Sequence, residues 1–272
     1  MPSFQEISCE QLNRLIGTPN CPILIDVRVD EDFDPDPRLI PGSFRADYRD
    51  RSWIENFHGE SAIIICRRGK KLSHGVAALL RHSGVPVDVL EGGFEAWTAQ
   101  GFSAVPVSKL PQRDAQGRTV WVTRSRPKID RIACPWLIRR FVDPAAVFLF
   151  VAPAEVEMVA DRFNAVAFDI EADIPWSHRG DLCTFDVMVE EFGLATEPMK
   201  RLATIVRGAD TSRPELAPEV PGLLAASLGL SRMYTDDLEQ LEAGMLLYDA
   251  FYRWCRDATG ETHNWPTNKK GA

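Results

Sequence analysis

The chain has 272 residues, 45% of them hydrophobic, enough for one large domain or two small ones, each with its own core. Its formal net charge is −8 and neither half is basic, which argues against a general binder of nucleic acid or of anionic membranes. The opening MPSFQEISCEQLNRLI has no apolar stretch behind a cationic region, and no later run approaches the length that spans a bilayer, so neither a secretory signal nor a membrane partner is expected. The cysteines at 9, 21, 66, 134, 183 and 255 contain no Cys-x-x-Cys pair, a pattern that suits reduced thiols in a cytoplasm.

Ser8 with Gln11 reads as a capping box and Ile7 with Leu12 as its staple, starting a short helix that Gly17 and Pro19 end. CPILIDVR at 21–28 and SAIIICR at 61–67 are short apolar runs of the kind a strand buried on both faces shows. Between them DEDFDPDPRLIPGSFRADYRD, rich in Pro and Asp, reads as a loop with a turn at Ile40-Pro41-Gly42. After Ser73, HGVAALLRHSG predicts a helix stopped by Gly84, VPVDVLEGG a third strand, and FEAWTAQG a last helical segment. Strand and helix in alternation predict an α/β domain with a central parallel sheet.

In such a sheet the functional loops lie at the carboxyl ends of the strands, and Cys66 falls there, just before a helix. A helix N-terminus favours an anion, Gly69 lets the loop curl, and Arg67, Arg68, Lys70 and Lys71 add full charges. Together they favour an exposed, nucleophilic thiolate and attract an anionic substrate to it.

These segments resemble the rhodanese family of sulfurtransferases over roughly residues 4–105: DVR at 26–28, RLIPGSF at 38–44, CRRGKK at 66–71 and GGFEAW at 92–97. Leu39 stands where the family's Pro-Gly segment usually carries His, and Lys71 where many relatives have arginine. The resemblance implies transfer of sulfane sulfur through a Cys66 persulfide, from a small anionic donor such as thiosulfate to a thiol or other nucleophilic acceptor, with no cofactor required. Arg67, Arg68, Gly69, Lys70 and Lys71 would form the substrate loop, with Lys71 and Arg67 on the donor's oxyanion, while Asp26 and Arg28 brace the loop from the neighbouring strand. Phosphatases of this fold have a seven-residue loop ending in arginine; here the seventh residue is Leu72, which cannot clamp a phosphate.

SAVPVSKLPQRDAQGR reads as a linker, which divides the chain into a first domain at 1–105, a linker at 106–118, a second domain at 119–260 and a loose tail at 261–272. In the second domain TVWVT, AAVFLFV and AVAFD predict strands, and Ile129 to Arg140 a helix with Pro135 near its start or at a kink. From Pro198 onward the pattern is helical, ending in a long helix with Leu238, Leu241, Met245, Tyr248, Phe251 and Tyr252 on one stripe. The expected class is α+β and mostly helical. WVTRSRPKIDRIACPWLIRRFVDP, FDIEADIPWSHRGDLCTFDVMVEEFGL and LATIVRGAD resemble the bacterial chromate-resistance protein B family over roughly 119–257, which implies a context of chromate response and no mechanism.

Two clusters of this domain have metal-ligand chemistry: Asp130 with Cys134, and Asp169, Glu171, His178, Cys183 and Asp186 around a loop. Their spacing matches no standard site. The favoured reading makes the cysteines small apolar groups and His178 the donor to a nearby carboxylate; the other makes Asp130, Cys134, His178 and Cys183 candidate zinc or iron ligands. Arg124, Arg126, Lys128, Arg131, Arg139 and Arg140 could hold a tetrahedral dianion, although a solvated face explains their spacing better, and Trp121, Trp136 and Trp176 read as core. The leading expectation is a cytoplasmic sulfurtransferase acting in chromate, oxyanion or thiol stress, with no nucleic-acid partner and no oligomeric state implied. The alternative is a non-catalytic oxyanion or redox sensor regulating chromate resistance.

Overall fold

In the first half, β1 (Glu6–Ile7) leads into α1 (Cys9–Leu15), which starts as its sequence predicts. The Ser8 hydroxyl accepts the Gln11 N–H, and the Gln11 side chain accepts the Ser8 N–H. β2 (Ile23–Asp26) follows, then α2 (Asp30–Phe33), β3 (Arg38–Leu39), β4 (Ser43–Arg45), α3 (Ser52–Glu55) and β5 (Ala62–Ile65). The half closes with α4 (Lys71–His82), β6 (Val87–Leu90), α5 (Gly93–Ala99) and β7 (Val105–Pro106). This is a computed structural model, and it describes residues 5–50, 52–55, 57 and 61–261.

Five strands form a wholly parallel sheet in the order β1-β6-β5-β2-β4. Both faces of β5 are buried: Ile64 packs with Val76, Ala77 and Leu80 of α4, while Ile63 and Ile65 face Leu12 and Trp97 on the other side. The Pro- and Asp-rich stretch expected as a loop holds an edge strand as well. β4 pairs with β2, and the turn at Ile40-Pro41-Gly42 feeds it. Three residues with a single large apolar side chain carry no readable alternation, so composition alone hid it.

The segment after β7 makes one 3-10 turn at Val107–Lys109 and a bridge between Arg113 and Thr119. The second half then runs β8 (Val120–Arg124), α6 (Asp130–Phe141), β9 (Val147–Val151), α7 (Val156–Phe163) and β10 (Val166–Ala167). β8 lies between β10 and β9 in a three-stranded parallel sheet. The helices α8 (Thr184–Glu191), α9 (Glu197–Asp210), α10 (Val220–Met233) and α11 (Asp237–Asp257) complete the half. α6 runs through Pro135, which falls in its second turn.

Trp121, Trp136 and Trp176 are buried, as expected of core. Leu241, Met245, Tyr248 and Tyr252 of α11 are buried too, but Leu238 is 50% exposed and leaves the expected stripe. It lies in the first turn, which Asp236 caps, at the rim of the helical packing. One apolar cluster joins the halves: Leu12, Ile16 and Trp97 share it with Trp136, Phe141 and Tyr252. Two polar contacts stitch the same seam, from Gly42 N–H to the Phe141 carbonyl at 2.6 Å and from Arg256 to the Ile16 carbonyl at 3.3 Å. Among the described residues, no helix is long and apolar enough to cross a membrane. The expected tail at 261–272 lies, apart from Glu261, outside the described residues.

Candidate functional site

β5 delivers Cys66 to the carboxyl edge of the sheet, and α4 begins five residues later at Lys71. Gly69, with φ +61°, turns the chain between them so that the Lys70 N–H points back to the Cys66 sulfur at 3.4 Å. The Ser73 hydroxyl stands 3.1 Å from that sulfur and also donates to the Lys70 carbonyl at 3.0 Å. The sequence predicts an exposed sulfur. Cys66 is instead only 6% exposed, because the Lys70 amide and the Ser73 hydroxyl close on its sulfur and α4 packs against it.

The four cations divide into two pairs. Arg67 binds Glu95 at 2.5 Å and Asp32 at 3.1 Å, and Arg68 binds Glu95 at 2.8 Å. The bonds from Arg68 and Arg67 hold the Glu95 carboxyl below the usual range, and they tie Arg68 to α5 and Arg67 to both α5 and α2. Lys70 and Lys71 are exposed, and among the described residues neither has a carboxylate partner. They are the cations left to meet an arriving anion.

A second layer holds the loop in place. The first amides of α5 donate to it, Phe94 N–H to the Cys66 carbonyl at 2.9 Å and Glu95 N–H to the Arg67 carbonyl at 3.0 Å. Asp26 and Arg28 form a fully buried ion pair at 2.6 Å. The Arg28 guanidinium lies 3.7 Å from the Phe94 ring centroid and donates to the Arg38 carbonyl at 2.6 Å. The pair therefore braces the closing segment, and through it the cysteine loop.

The second domain gathers its own polar cluster at the carboxyl ends of β8 and β10, where parallel sheets place their sites. Asp130 opens α6, Asp169 follows β10, Asp210 ends α9, and His178 reaches in from the loop before α8. The His178 Nε2 lies 3.3 Å from Asp210, 3.4 Å from Asp169 and 3.7 Å from Asp130. Hydrogen bonds to Asp169 and Asp210 push the His178 pKa up to about 10. Burial, together with Asp210 and Asp169, pushes the Asp130 carboxyl well up. Burial opposes ionisation of Asp169 too, but hydrogen bonds with His178 and Thr184 and the nearby Arg131 outweigh it and hold that carboxyl low. Above the cluster is a cavity of about 590 Å³ lined by Arg124, Arg131, Glu171, Ser177, His178 and Asp210. Ile129 and Asp169 beside it both have positive φ, +36° and +49°, a conformation that costs energy in a β-branched residue especially.

The model of the rhodanese-like domain matches residues 8–100, and that of the ChrB C-terminal domain matches residues 121–255. The chain joins a rhodanese-like domain to a ChrB C-terminal domain. Protein ChrB of Cupriavidus metallidurans is 36% identical over 148 residues, which are 53% of this chain and 43% of that protein. The chain thus spans less than half the length of this curated relative. Among solved structures, a rhodanese-related protein of Thermoplasma volcanium is 20% identical, covering 37% of this chain and 96% of that one, with a TM-score of 0.32. A thiosulfate sulfurtransferase of Pseudomonas aeruginosa is 23% identical, covering 40% of this chain and 21% of that one, with a TM-score of 0.34.

In the rhodanese-like domain the structure brings Cys66, Gly69, Lys70 and Lys71 together and turns Arg67 and Arg68 aside. Ser73 and Glu95 belong to the site and were not singled out in the sequence. In the ChrB C-terminal domain Asp130, Asp169 and His178 converge, whereas Cys134 and Cys183 are packed in the core. Burial pushes both thiols up, and the Cys183 thiol bonds Asp186 at 3.2 Å. Of the cationic set, Arg124 and Arg131 face Asp169, Arg139 pairs with Glu242 and Arg140 with Asp249. Asp210 went unnoticed: it ends a helix far along the chain, and no spacing rule connects it to His178.

Proposed function

We propose that the chain is a sulfurtransferase that carries sulfane sulfur on Cys66, in a setting of chromate, oxyanion or thiol stress that the ChrB C-terminal domain fits. The observation that carries this reading is the Lys70 N–H aimed at the Cys66 sulfur at the start of α4, beside two lysines that have no carboxylate partner among the described residues. The Cys66 thiolate attacks the outer sulfur of a thiosulfate-like donor. A new S–S bond forms to the cysteine, the donor's own S–S bond breaks, and sulfite leaves with the bonding pair. The loop amide and the α4 N-terminus stabilise the terminal persulfide anion. A thiol or cyanide then takes the outer sulfur and returns the thiolate. No cofactor enters this cycle, and its need for a free thiol fits the cytoplasm.

Purified protein is tested with thiosulfate and cyanide. Thiocyanate should form, and mass spectrometry after thiosulfate alone should show a gain of about 32 Da on Cys66, one sulfur atom. Cys66→Ser should abolish both. The absence of thiocyanate and adduct in the wild type defeats the reading.

A sensor reading draws support from the shared core of the two domains, which couples the first to the second through Phe141 and Tyr252. It requires that Cys66→Ser cells keep chromate resistance while sulfur transfer is lost.

A further inference from the structure

We propose that Asp130, His178 and Asp210 form a binding site for one divalent first-row transition cation, of the manganese, iron or zinc class. One ligand atom from each residue lies within 4.8 Å of the other two. Ligand bonds of about 2.0–2.2 Å place two atoms on one ion roughly 3–4 Å apart. His178 Nε2 stands 3.3 Å from Asp210 Oδ2 and 3.7 Å from Asp130 Oδ2, inside that window.

An acidic cluster with a histidine can also be a plain ion-pair network, and Asp130 separates the two cases. Its side chain is fully buried, Oδ1 is left without a hydrogen-bond partner, Oδ2 accepts the Phe185 N–H at 3.3 Å, and the Cys183 thiol is the other group that bonds the carboxyl. Ionised, a carboxylate this far from water and this sparsely bonded is costly unless a cation sits against it; the His178 side chain at 3.7 Å is too long a contact for a hydrogen bond, and a metal ion between the two would bond both. Asp169 is differently served. It accepts the Thr184 hydroxyl at 2.9 Å and faces Arg131 at 3.3 Å, so its charge is already met by protein partners and it stands beside the ion site.

The donor set selects the class of ion. One imidazole with two carboxylates is too soft for magnesium or calcium and lacks the thiolate that copper(I) or an iron–sulfur cluster takes. Cys134 and Cys183 are nearby but lie wholly within the apolar core. Three protein ligands leave further coordination positions, and these would face the cavity where Arg124 and Arg131 stand.

The test uses the full chain, treated with a chelator and then titrated with manganese(II) or zinc(II) chloride by calorimetry. Cobalt(II) serves as a visible-absorption probe. One ion per chain is expected, with a thermal midpoint that rises with ion concentration. Asp210→Asn and His178→Gln should each weaken binding about tenfold or more and remove the midpoint shift. These side chains are 19% and 42% exposed, so the variants should keep the wild-type circular dichroism. Cys66→Ser should bind as the wild type does. The proposal is overturned if the wild type binds no ion, if both variants bind as well as it does, or if binding is lost with Cys66. In the first two outcomes the cluster is an imidazolium–carboxylate network and nothing more.

Discussion

Gly93 and Gly69 interlock beneath the cysteine loop. A Cβ on Gly93 would lie 2.5 Å from the Gly69 nitrogen and would overlap the Cys66 carbonyl oxygen. Both glycines also hold positive φ, +61° each, so the Gly-Gly closure and the loop fit only as bare backbone.

Gly93→Ala should therefore cost about 3 kcal/mol, from overpacking and backbone strain together, and should reduce thiocyanate formation in the remaining folded protein. Gly84→Ala is the control. Gly84 also has positive φ, +85°, but a Cβ there meets nothing within 4 Å, so only the backbone cost of about 1 kcal/mol applies. Urea unfolding of the two variants separates steric from conformational strain; equal losses would contradict the interlock.

Lys71→Ala should raise the KM for thiosulfate about three- to tenfold at low salt, with an effect that shrinks as ionic strength rises. Arg67→Ala should act less on KM, because Arg67 is already committed to Glu95 and Asp32. Steady-state assays at two salt concentrations decide between them.

Gly17 lies where the two domains meet. A Cβ there would strike the Phe141 ring and approach Tyr252 Cε1 at 2.8 Å. Gly17→Ala should lower global stability by about 2–4 kcal/mol and shift both domains in one thermal transition, because they share a core. Two separate transitions in the wild type would show that the cluster does not couple them.

Glu191 ties the connecting segment to α8, bonding Lys109 at 2.5 Å and Arg179 at 2.9 Å. Hydrogen bonds first from Lys109 and then from Arg179 hold its carboxyl below the ordinary value of 4.5. A lowered folded-state value means the contribution is complete above about pH 4.5 and is lost as pH falls through the folded value. Glu191→Gln should remove that acid-side loss, worth about 1 kcal/mol or less for a partly exposed pair, as read by unfolding at pH 3 to 6.

The local features of the first domain were legible because they depend on neighbours in the chain. Ser8 and Gln11 cap a helix from three residues apart, and the apolar runs at 23–26 and 62–65 are buried on both faces, so every residue reports it. Cys66 at a strand end before a helix is likewise a local pattern. β4 escaped because an edge strand of three residues has too few side chains to show a period.

Other features depended on the folded chain. The cations around Cys66 looked equivalent in sequence, yet Glu95, on a helix that packs against the loop, takes two of them away and leaves Lys70 and Lys71. Cys134 and Cys183 have the chemistry of ligands but were drawn into the core, while Asp210 joined His178 from the far end of α9. Residue types and local spacing determined which groups were available, because helix and strand periods act over a few residues. Which of them meet was decided by packing, since the contacts that pair charges and bury thiols connect positions that only the closed core brings within a few ångströms.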